Sequence, residues 1–254
     1  MVAWHALGDE LDAWLAAGRT ATLWWRDDDV TEPSAAFDRL LGVAAEFGVP
    51  LCLAVIPAAG QPALAAQMRR EPGVFAVAHG YAHVNHAAPG RRKQELGPER
   101  APATVIAELA SGLERLAALF DERFRPVLVP PWNRLDGTLV PRLADAGFAG
   151  LSTLGPRQER TPAPGLVQIN GHADITDWNR RAFLGEAEAL ERLTAHLRAR
   201  RQEQVDATEP TGLLTHHLIL DAESWAFLDS LFRLTSRHSA ARWLSVPQAF
   251  NLPV

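Results

Sequence analysis

Two short polar runs in this sequence carry side chains that could bind a metal ion. The triplet Asp27–Asp29 follows the apolar run 21–26, and His79 and His83, separated by three residues, follow the apolar run 74–78. Two imidazoles and one carboxylate leave coordination positions free for water and substrate, which is how catalytic metal sites are built. These residues therefore favour a metal-assisted hydrolase.

The elements that must position these residues alternate along the chain between strand and helix. Strands are predicted at 21–26, 51–56, 74–78, 127–129, 148–153, 166–170, 212–217 and near Trp243, with helices at 3–17, 34–47, 61–70, 102–120, a short segment ending at Gly147, 186–202 and 221–235. Such alternation implies parallel strands joined by right-handed crossovers. About seven units suit a barrel better than an open sheet. We therefore expect an α/β fold in which residues 1–254 form a single (β/α) barrel domain.

Composition narrows the classes of function. The formal net charge of −5 gives no basic footprint for nucleic acid, so no nucleic-acid partner is expected. Cys52 is the only cysteine, which excludes an intrachain disulfide and a thiolate metal framework. No apolar run approaches the roughly 20 residues of a membrane span, so stable membrane insertion is not expected. The N-terminus does not resemble a signal peptide, and a cytoplasmic location is the default expectation. The oligomeric state is left open.

Five polar segments fall at or just after predicted strand ends. They are Asp27–Asp29, His79 to His83, Pro130–Trp132, Asp174–Trp178 and His216. In a parallel barrel these ends share one face, where active sites assemble. We therefore expect the five segments to meet in one cleft.

The ordered set RDDDV, HGYAH, VPPWN, DITDW and LLTH resembles the motifs of the polysaccharide deacetylase family, the NodB-homology group of carbohydrate esterases. Each motif is weak alone, but the five occur in the family's order across residues 21–217. The resemblance implies an irregular (β/α) barrel of the NodB deacetylase type and a divergent member of the group. It also implies removal of an N-acetyl or similar acyl group from an amino sugar or related amide.

For the metal site, the resemblance matches His79 and His83 to the family's metal-binding histidines. Read from Arg26, the aspartate triplet gives Asp28 as general base and Asp29 as the third ligand. A shift of one residue gives Asp27 and Asp28 instead, and this register stays open at the level of sequence. The implied cofactor is one divalent ion, with zinc as first choice and cobalt, nickel or manganese compatible with the same ligands.

The remaining motifs carry the other implied roles. The backbone N–H of Trp132 would bind the oxyanion, His216 would act as general acid with Asp174 orienting and charging it, Trp178 would wall the pocket, and Pro131 and Asp177 would lie beside the substrate. His217, adjacent to His216, is expected to point into the structure because neighbouring strand residues face opposite ways.

One departure from the family pattern bears on activity. Val129 stands where the third motif usually begins with an arginine that pairs with the base, and Arg26 or Arg134 could supply that charge instead. Without such a pair, the chain would be a catalytically silent sugar-binding protein on the same fold. Hydrolysis of an ester, or of another non-peptide C–N bond such as a formamide or a ring amide, is a further alternative. The expected partner is a small-molecule or glycan amide, and the basic loop 87–100 is either a contact for an anionic substrate group or a solvated loop.

Overall fold

The computed structural model describes residues 2–253, in which a sheet of nine strands is surrounded by helices and two further strands form a separate antiparallel pair. The strands are β1 (Ala21–Val30), β2 (Leu51–Val55), β3 (Val74–His79), β4 (Phe124–Val129), β5 (Gly150–Leu151), β6 (Val167–Gln168), β7 (Ala173–Asp174), β8 (Thr176–Asp177), β9 (Ala182–Phe183), β10 (Thr211–Thr215) and β11 (Ala241–Trp243). The helices are α1 (Val2–Ala16), α2 (Ala35–Phe47), α3 (Pro62–Met68), α4 (Pro102–Phe120), α5 (Val140–Leu143), α6 (Glu186–Arg201), α7 (Ala222–Thr235) and α8 (Val246–Phe250). None of the helices in this range is long and apolar enough to cross a membrane.

The sheet runs in the order β6-β5-β4-β3-β2-β1-β10-β7, and β11 pairs with β1 as well. Every pairing in this sheet is parallel. The curled parallel sheet with helices outside it confirms the expected irregular (β/α) barrel.

The central strands are buried on both faces, and their side chains alternate between two apolar layers. Trp24, Cys52 and Phe75 belong to a smaller cluster that Phe250 of α8 also joins. Trp25 and Leu53, one residue further along their strands, belong to the larger cluster packed against the helices. Strands buried on both faces have near-continuous apolar sequence, which is the pattern that predicted them. Cys52 is buried as a small apolar residue, as its position in the strand indicated.

Helix ends follow the local chemistry of the sequence. The Ser34 side chain accepts a hydrogen bond from the Phe37 N–H at the start of α2, and Gly48 ends that helix with a left-handed φ of 62°. Both features match the caps that sequence indicates. The second half of the fold differs more, because the strands predicted at 148–153 and 166–170 are only two residues long each. The antiparallel pair β8–β9 was not predicted at all.

Candidate active site

The aspartate triplet lies inside β1 rather than beyond its end, so the strand's alternation orients it. Arg26 and Asp28 follow Trp24 at intervals of two residues, whereas Asp27 follows Trp25. Side chains two residues apart in a strand share a face. At Asp29 the alternation stops, because its φ is 65° and the pairing with β2 shifts register between Asp27 and Val30. The three carboxylates therefore face three different environments.

Asp28 forms a buried ion pair with Arg26 of the same strand. The Nε of Arg26 lies 2.8 Å from Oδ1 of Asp28, and its Nη2 donates to Oδ2 at 3.0 Å, with both side chains at most 1% exposed. The guanidinium is held in turn by Ser152 Oγ at 2.6 Å and Asn133 Oδ1 at 2.7 Å. Arg134 instead donates to the carbonyl of Lys93. Arg26, and not Arg134, therefore provides the positive charge beside Asp28.

The Asp27 carboxylate is buried and forms hydrogen bonds within the fold. Its Oδ2 accepts hydrogen bonds from the Thr215 hydroxyl at 2.6 Å and from the His217 N–H at 3.0 Å, and its Oδ1 lies 2.5 Å from Nδ1 of His217. All of these partners are buried on β10 or directly after it. The Asp27 carboxylate is therefore bonded to Thr215 and His217 rather than to His79 or His83. His217 points into the structure, as expected.

Asp29, His79 and His83 bring their ligand atoms together. Oδ1 of Asp29 lies 3.1 Å from Nε2 of His79 and 3.2 Å from Nε2 of His83, and all three candidate ligand atoms lie within 4.8 Å of one another. Nδ1 of His79 lies 3.0 Å from the Val129 carbonyl, to which it can only donate. A neutral His79 therefore directs its Nε2 lone pair at a carboxylate oxygen, an arrangement that a shared cation would stabilise. The donor set fits a divalent metal.

The charges in this cluster depend strongly on one another. Burial raises the pKa of Asp29, but the hydrogen bond and charge of His79, with the charges of His216 and His83, hold that pKa well below its usual value. Burial lowers the pKa of His79, yet Asp29 and Asp28 raise it overall. Burial and the neighbouring His79 lower the pKa of His83. Asp29 is thus anionic and His83 neutral at neutral pH, which are the forms that bind metals, whereas the raised pKa of His79 favours a proton that a bound metal would displace.

The loop that carries the histidines is held by Glu95, a buried carboxylate. Its two oxygens accept hydrogen bonds from the Tyr81 N–H at 3.1 Å and the Ala82 N–H at 2.8 Å. Gly80 adopts a φ of 58°, and a Cβ there would lie 2.1 Å from Glu95 and 2.6 Å from Pro131. Close packing around this glycine therefore fixes the turn that places His83 opposite His79.

The third motif forms a strained turn next to the histidines. Trp132 has a φ of 55°, a left-handed conformation that is uncommon for a bulky residue and marks functional sites. The hydrogen bonds of the turn run from the N–H groups of Asn133 and Arg134 to the carbonyls of Pro130 and Pro131, and they do not use the Trp132 N–H. The Trp132 ring packs against His83 with centroids 4.4 Å apart.

His216 lies at the end of β10, and its environment differs from the expected one. Among the contacts of the described residues there is no hydrogen bond or ion pair between His216 and Asp174. The Asp174 carboxylate instead accepts from the Trp178 Nε1–H at 2.8 Å and the Thr176 N–H at 3.0 Å. The Trp178 ring stands perpendicular to His216 at 4.5 Å, and Nδ1 of His216 is buried without a partner. The Asp174 oxygens are therefore bonded to Trp178 and Thr176 and not to His216 in this structure, and the expected orienting role of Asp174 stays a prediction.

Asp177, expected beside the substrate, bonds in this structure to the turn that follows it. Its Oδ1 accepts from the N–H groups of Asn179 and Arg180, and its Oδ2 lies 3.4 Å from the exposed Arg180 side chain. An aspartate bonded to the backbone two residues ahead is a standard turn stabiliser. Asp177 thus stabilises the turn between β8 and β9.

Solved structures provide comparisons for this arrangement, whereas no protein-family model and no curated protein matches the sequence. The barrel has the same fold as solved polysaccharide deacetylases. A candidate polysaccharide deacetylase from Mycobacterium smegmatis is similar with a TM-score of 0.68 and 18% identity, over 92% of this chain and 90% of that one. The Bc1960 peptidoglycan N-acetylglucosamine deacetylase is similar with a TM-score of 0.57 and 13% identity, over 95% and 97%. A family 4 acetyl xylan esterase from Clostridium thermocellum, solved with a cobalt ion, has a TM-score of 0.58 and 12% identity, over 91% and 93%. The resemblance drawn from the motifs is confirmed at the level of fold, with identities as low as a divergent member implies.

Proposed function

We propose that this protein is a metal-dependent hydrolase that removes an acetyl or similar acyl group from an amino sugar or a related amide. The observation that carries the proposal is the convergence of Asp29, His79 and His83 on one point. The adjacent Asp28 forms a separate, buried ion pair with Arg26. A divalent ion bound by the triad would polarise the acyl carbonyl and lower the pKa of a bound water. Zinc is the proposed ion, and cobalt, nickel and manganese suit the same ligands.

Asp28 is the proposed general base. Its carboxylate is clamped by Arg26 through two contacts, so its position relative to the triad is fixed by the rigid strand β1. A base must lie within hydrogen-bond reach of the proton that it removes. The clamp supports this role because it orients the carboxylate and compensates its charge.

The Trp132 N–H and His216 are proposed to serve the later part of the reaction. The Trp132 N–H is not used by its own turn and could donate to the oxyanion of the tetrahedral intermediate. His216 would protonate the leaving group. Trp178, exposed on one side and packed against His216, would contact a sugar ring through its apolar surface.

Ester hydrolysis is a second candidate, and the environment of His216 is the specific observation in its favour. A carboxylate bonded to Nδ1 would make His216 a stronger base and a better proton carrier for an amine, but Asp174 is bonded to Trp178 instead. An alkoxide leaving group is less demanding than an amine. The two candidates share the metal triad and the base, and they differ in the bond that is cut.

The test combines metal analysis with acetate release. We expect about one metal per chain in the wild type and none in the His79→Ala/His83→Ala variant. We also expect acetate release from N-acetylated chitooligosaccharides that Asp28→Asn abolishes without loss of the metal, in variant protein that circular dichroism shows to be folded. Acetate released only from O-acetylated xylan would favour the esterase. Absence of metal from the wild type, even after incubation with zinc or cobalt, would reject both hydrolases and leave the sugar-binding protein.

A cytoplasmic location, a single domain and a glycan or small-molecule amide as partner remain predictions.

A further inference from the structure

Three cationic side chains form a patch beside the candidate active site, which we call the cationic rim: Arg92, Lys93 and Arg134. Two come from the loop after β3 and one from the chain just beyond the Trp132 turn. Nη1 of Arg134 donates to the Lys93 carbonyl at 2.7 Å, which ties the two segments together. Burial and the charge of Arg92 lower the pKa of Arg134, so these guanidinium groups lie close enough to repel each other.

The rim has no neutralising acids. None of the ion pairs among residues 2–253 includes Arg92, Lys93 or Arg134. Two neighbouring carboxylates in the sequence are already used, because Glu95 accepts backbone N–H groups and Asp136 accepts from Thr138. In a chain with a formal net charge of −5, this concentration of uncompensated positive charge is local.

The Trp132 ring lies between the rim and His83 of the proposed metal site. Nζ of Lys93 lies 6.0 Å from the centroid of the Trp132 ring, and that ring packs on His83. Arg134 lines a cavity of about 450 Å³ together with Asn133, whose side chain binds the Arg26 guanidinium. A group held in this cavity would therefore lie next to the Arg26–Asp28 pair.

The lining of the cavity is mixed, and its one charged group is Arg134. The polar lining residues are Gln94, Asn133, Thr153 and Gln168, and the apolar ones are Leu135, Val140, Leu151 and Leu154. The Gln168 amide and the Thr153 hydroxyl already donate hydrogen bonds within the fold. The Arg134 guanidinium is therefore the lining group that suits phosphate or carboxylate oxygens.

We propose that the cavity and the cationic rim bind an anionic group, a phosphate or a carboxylate, on the substrate whose acyl group is removed. This inference rests on the proposed function and makes it more specific. The substrate class becomes acylated amino sugars that carry a negative charge near the acyl group. Neutral glycans would lack the partner that the rim requires.

The binding arm of the test measures the affinity of pyrophosphate for the purified protein by calorimetry. Arg92→Gln/Lys93→Gln/Arg134→Gln is expected to weaken binding by about tenfold or more, since charge-assisted contacts to the anion are lost. The matched control is Arg69→Gln/Arg70→Gln/Arg237→Gln, which removes three exposed arginines that follow α3 and α7, on the side of the barrel opposite the strand ends. Because Arg134 also holds the Lys93 carbonyl, Arg92→Gln/Lys93→Gln provides a milder variant that keeps that bond. Equal affinity in all four proteins would overturn the proposal.

The catalytic arm compares kcat/KM for N-acetylglucosamine 1-phosphate with kcat/KM for N-acetylglucosamine. We expect a preference for the phosphate that the rim variants lose and the control keeps; hydrolysis of both sugars without preference would overturn the inference and leave the proposed function intact. If neither sugar is hydrolysed, the pyrophosphate titration alone decides the inference.

Cosedimentation with vesicles of phosphatidylcholine and phosphatidylglycerol tests whether the rim binds the phosphate of lipid headgroups instead. Rim-dependent binding to those vesicles without binding of pyrophosphate would assign the rim to a membrane surface and reject the substrate subsite.

Discussion

The Arg26 side chain on β1 supplies the positive charge that the third motif lacks, because Val129 stands there in place of an arginine. Its guanidinium group contacts the Asp28 carboxylate through two nitrogen atoms, and neither side chain is more than 1% exposed. A charge buried to this degree is stable only with a partner, so the pair acts as a unit. The absence of an arginine in the third motif therefore does not imply an inactive protein.

Replacing Arg26 by methionine should destabilise the fold strongly, because Asp28 would remain as an uncompensated buried charge. Removing one partner of a buried pair costs about 3–5 kcal/mol. Urea denaturation should show a loss of this size in the free energy of unfolding. The double variant Arg26→Met/Asp28→Asn should recover much of that loss, because both charges are gone, and it should remain inactive. A single variant as stable as the wild type would show that the ion pair does not matter for folding.

At the scale of the element, the turn after β3 sets the geometry of the metal site. Replacing Gly80 by alanine should weaken metal binding and destabilise the protein, since the new methyl group would contact Glu95 and Pro131. Gly90 provides a matched control, because it has a φ of 81° and a Cβ added there would meet no atom within 4 Å. An alanine in the left-handed region costs roughly 1–2 kcal/mol at either position. Titration with Co²⁺ should therefore show weaker binding in Gly80→Ala than in Gly90→Ala. Equal affinities in the two variants would mean that the close packing around Gly80 does not position His83.

The Asp27–His217 contact joins β1 to the segment that follows β10, and it makes stability depend on pH. Burial lowers the pKa of His217, but the charge and hydrogen bond of Asp27 raise it above the ordinary value overall. A raised pKa in the folded state gives stability that is present below about pH 6.5, the unfolded value, and is lost as the pH rises through the folded value. The difference in unfolding free energy between the wild type and Asp27→Asn should therefore be largest near pH 6 and shrink at alkaline pH. Chelator in both samples removes any contribution from the metal ligands, and a difference that grows with pH would contradict the assignment.

The same elements explain how far sequence reasoning reaches. The buried strands β1 to β4 and the long helices follow directly from apolar patterns, and the caps of α2 follow from Ser34 and Gly48. The end of β1 was misplaced because three aspartates have low strand propensity, so the alternation that separates Asp27 from Asp28 was not applied to them. The pair β8–β9 has strands of two residues, too short to show a period of two. Glu95 could not have been found, because its role depends on the path of a loop that returns to the histidines.

At the scale of the whole molecule, a second group of metal-binding side chains lies near the starts of the strands rather than their ends. His172, His196 and Glu209 place their ligand atoms within 4.8 Å of one another, and the two imidazole rings stack with centroids 3.4 Å apart. By composition alone this cluster resembles the Asp29 site. Hydrogen bonds and neighbouring charges distinguish the two.

Two residues of the second cluster, His172 and Glu209, are engaged in hydrogen bonds that compete with metal binding. Nδ1 of His172 accepts a hydrogen bond from the Gly212 N–H at 2.9 Å, so the proton of the neutral ring is on Nε2, which faces Glu209 at 3.4 Å. Burial, with His172 and Arg200, lowers the pKa of His196 to about 2, so its ring is neutral as well. The Glu209 oxygens accept from the N–H groups of Asn170 and Arg157. Nε2 of His172 and Nε2 of His196 are buried without hydrogen-bond partners, so the difference from the Asp29 site lies in the Nε2 proton of His172 and in the charges of Arg200 and Arg157 nearby.

Titration of the metal-free protein with Co²⁺ should consequently saturate at about one equivalent per chain. The variant His196→Gln should keep that equivalent, because its side chain is outside the triad, although loss of the buried ring should reduce stability. In contrast, His83→Gln should lose it while leaving the second cluster intact. A second equivalent in the wild type that disappears in His196→Gln would show that the stacked histidines bind metal, and that hydrogen-bond donors and nearby arginines do not decide where a cation binds in this barrel.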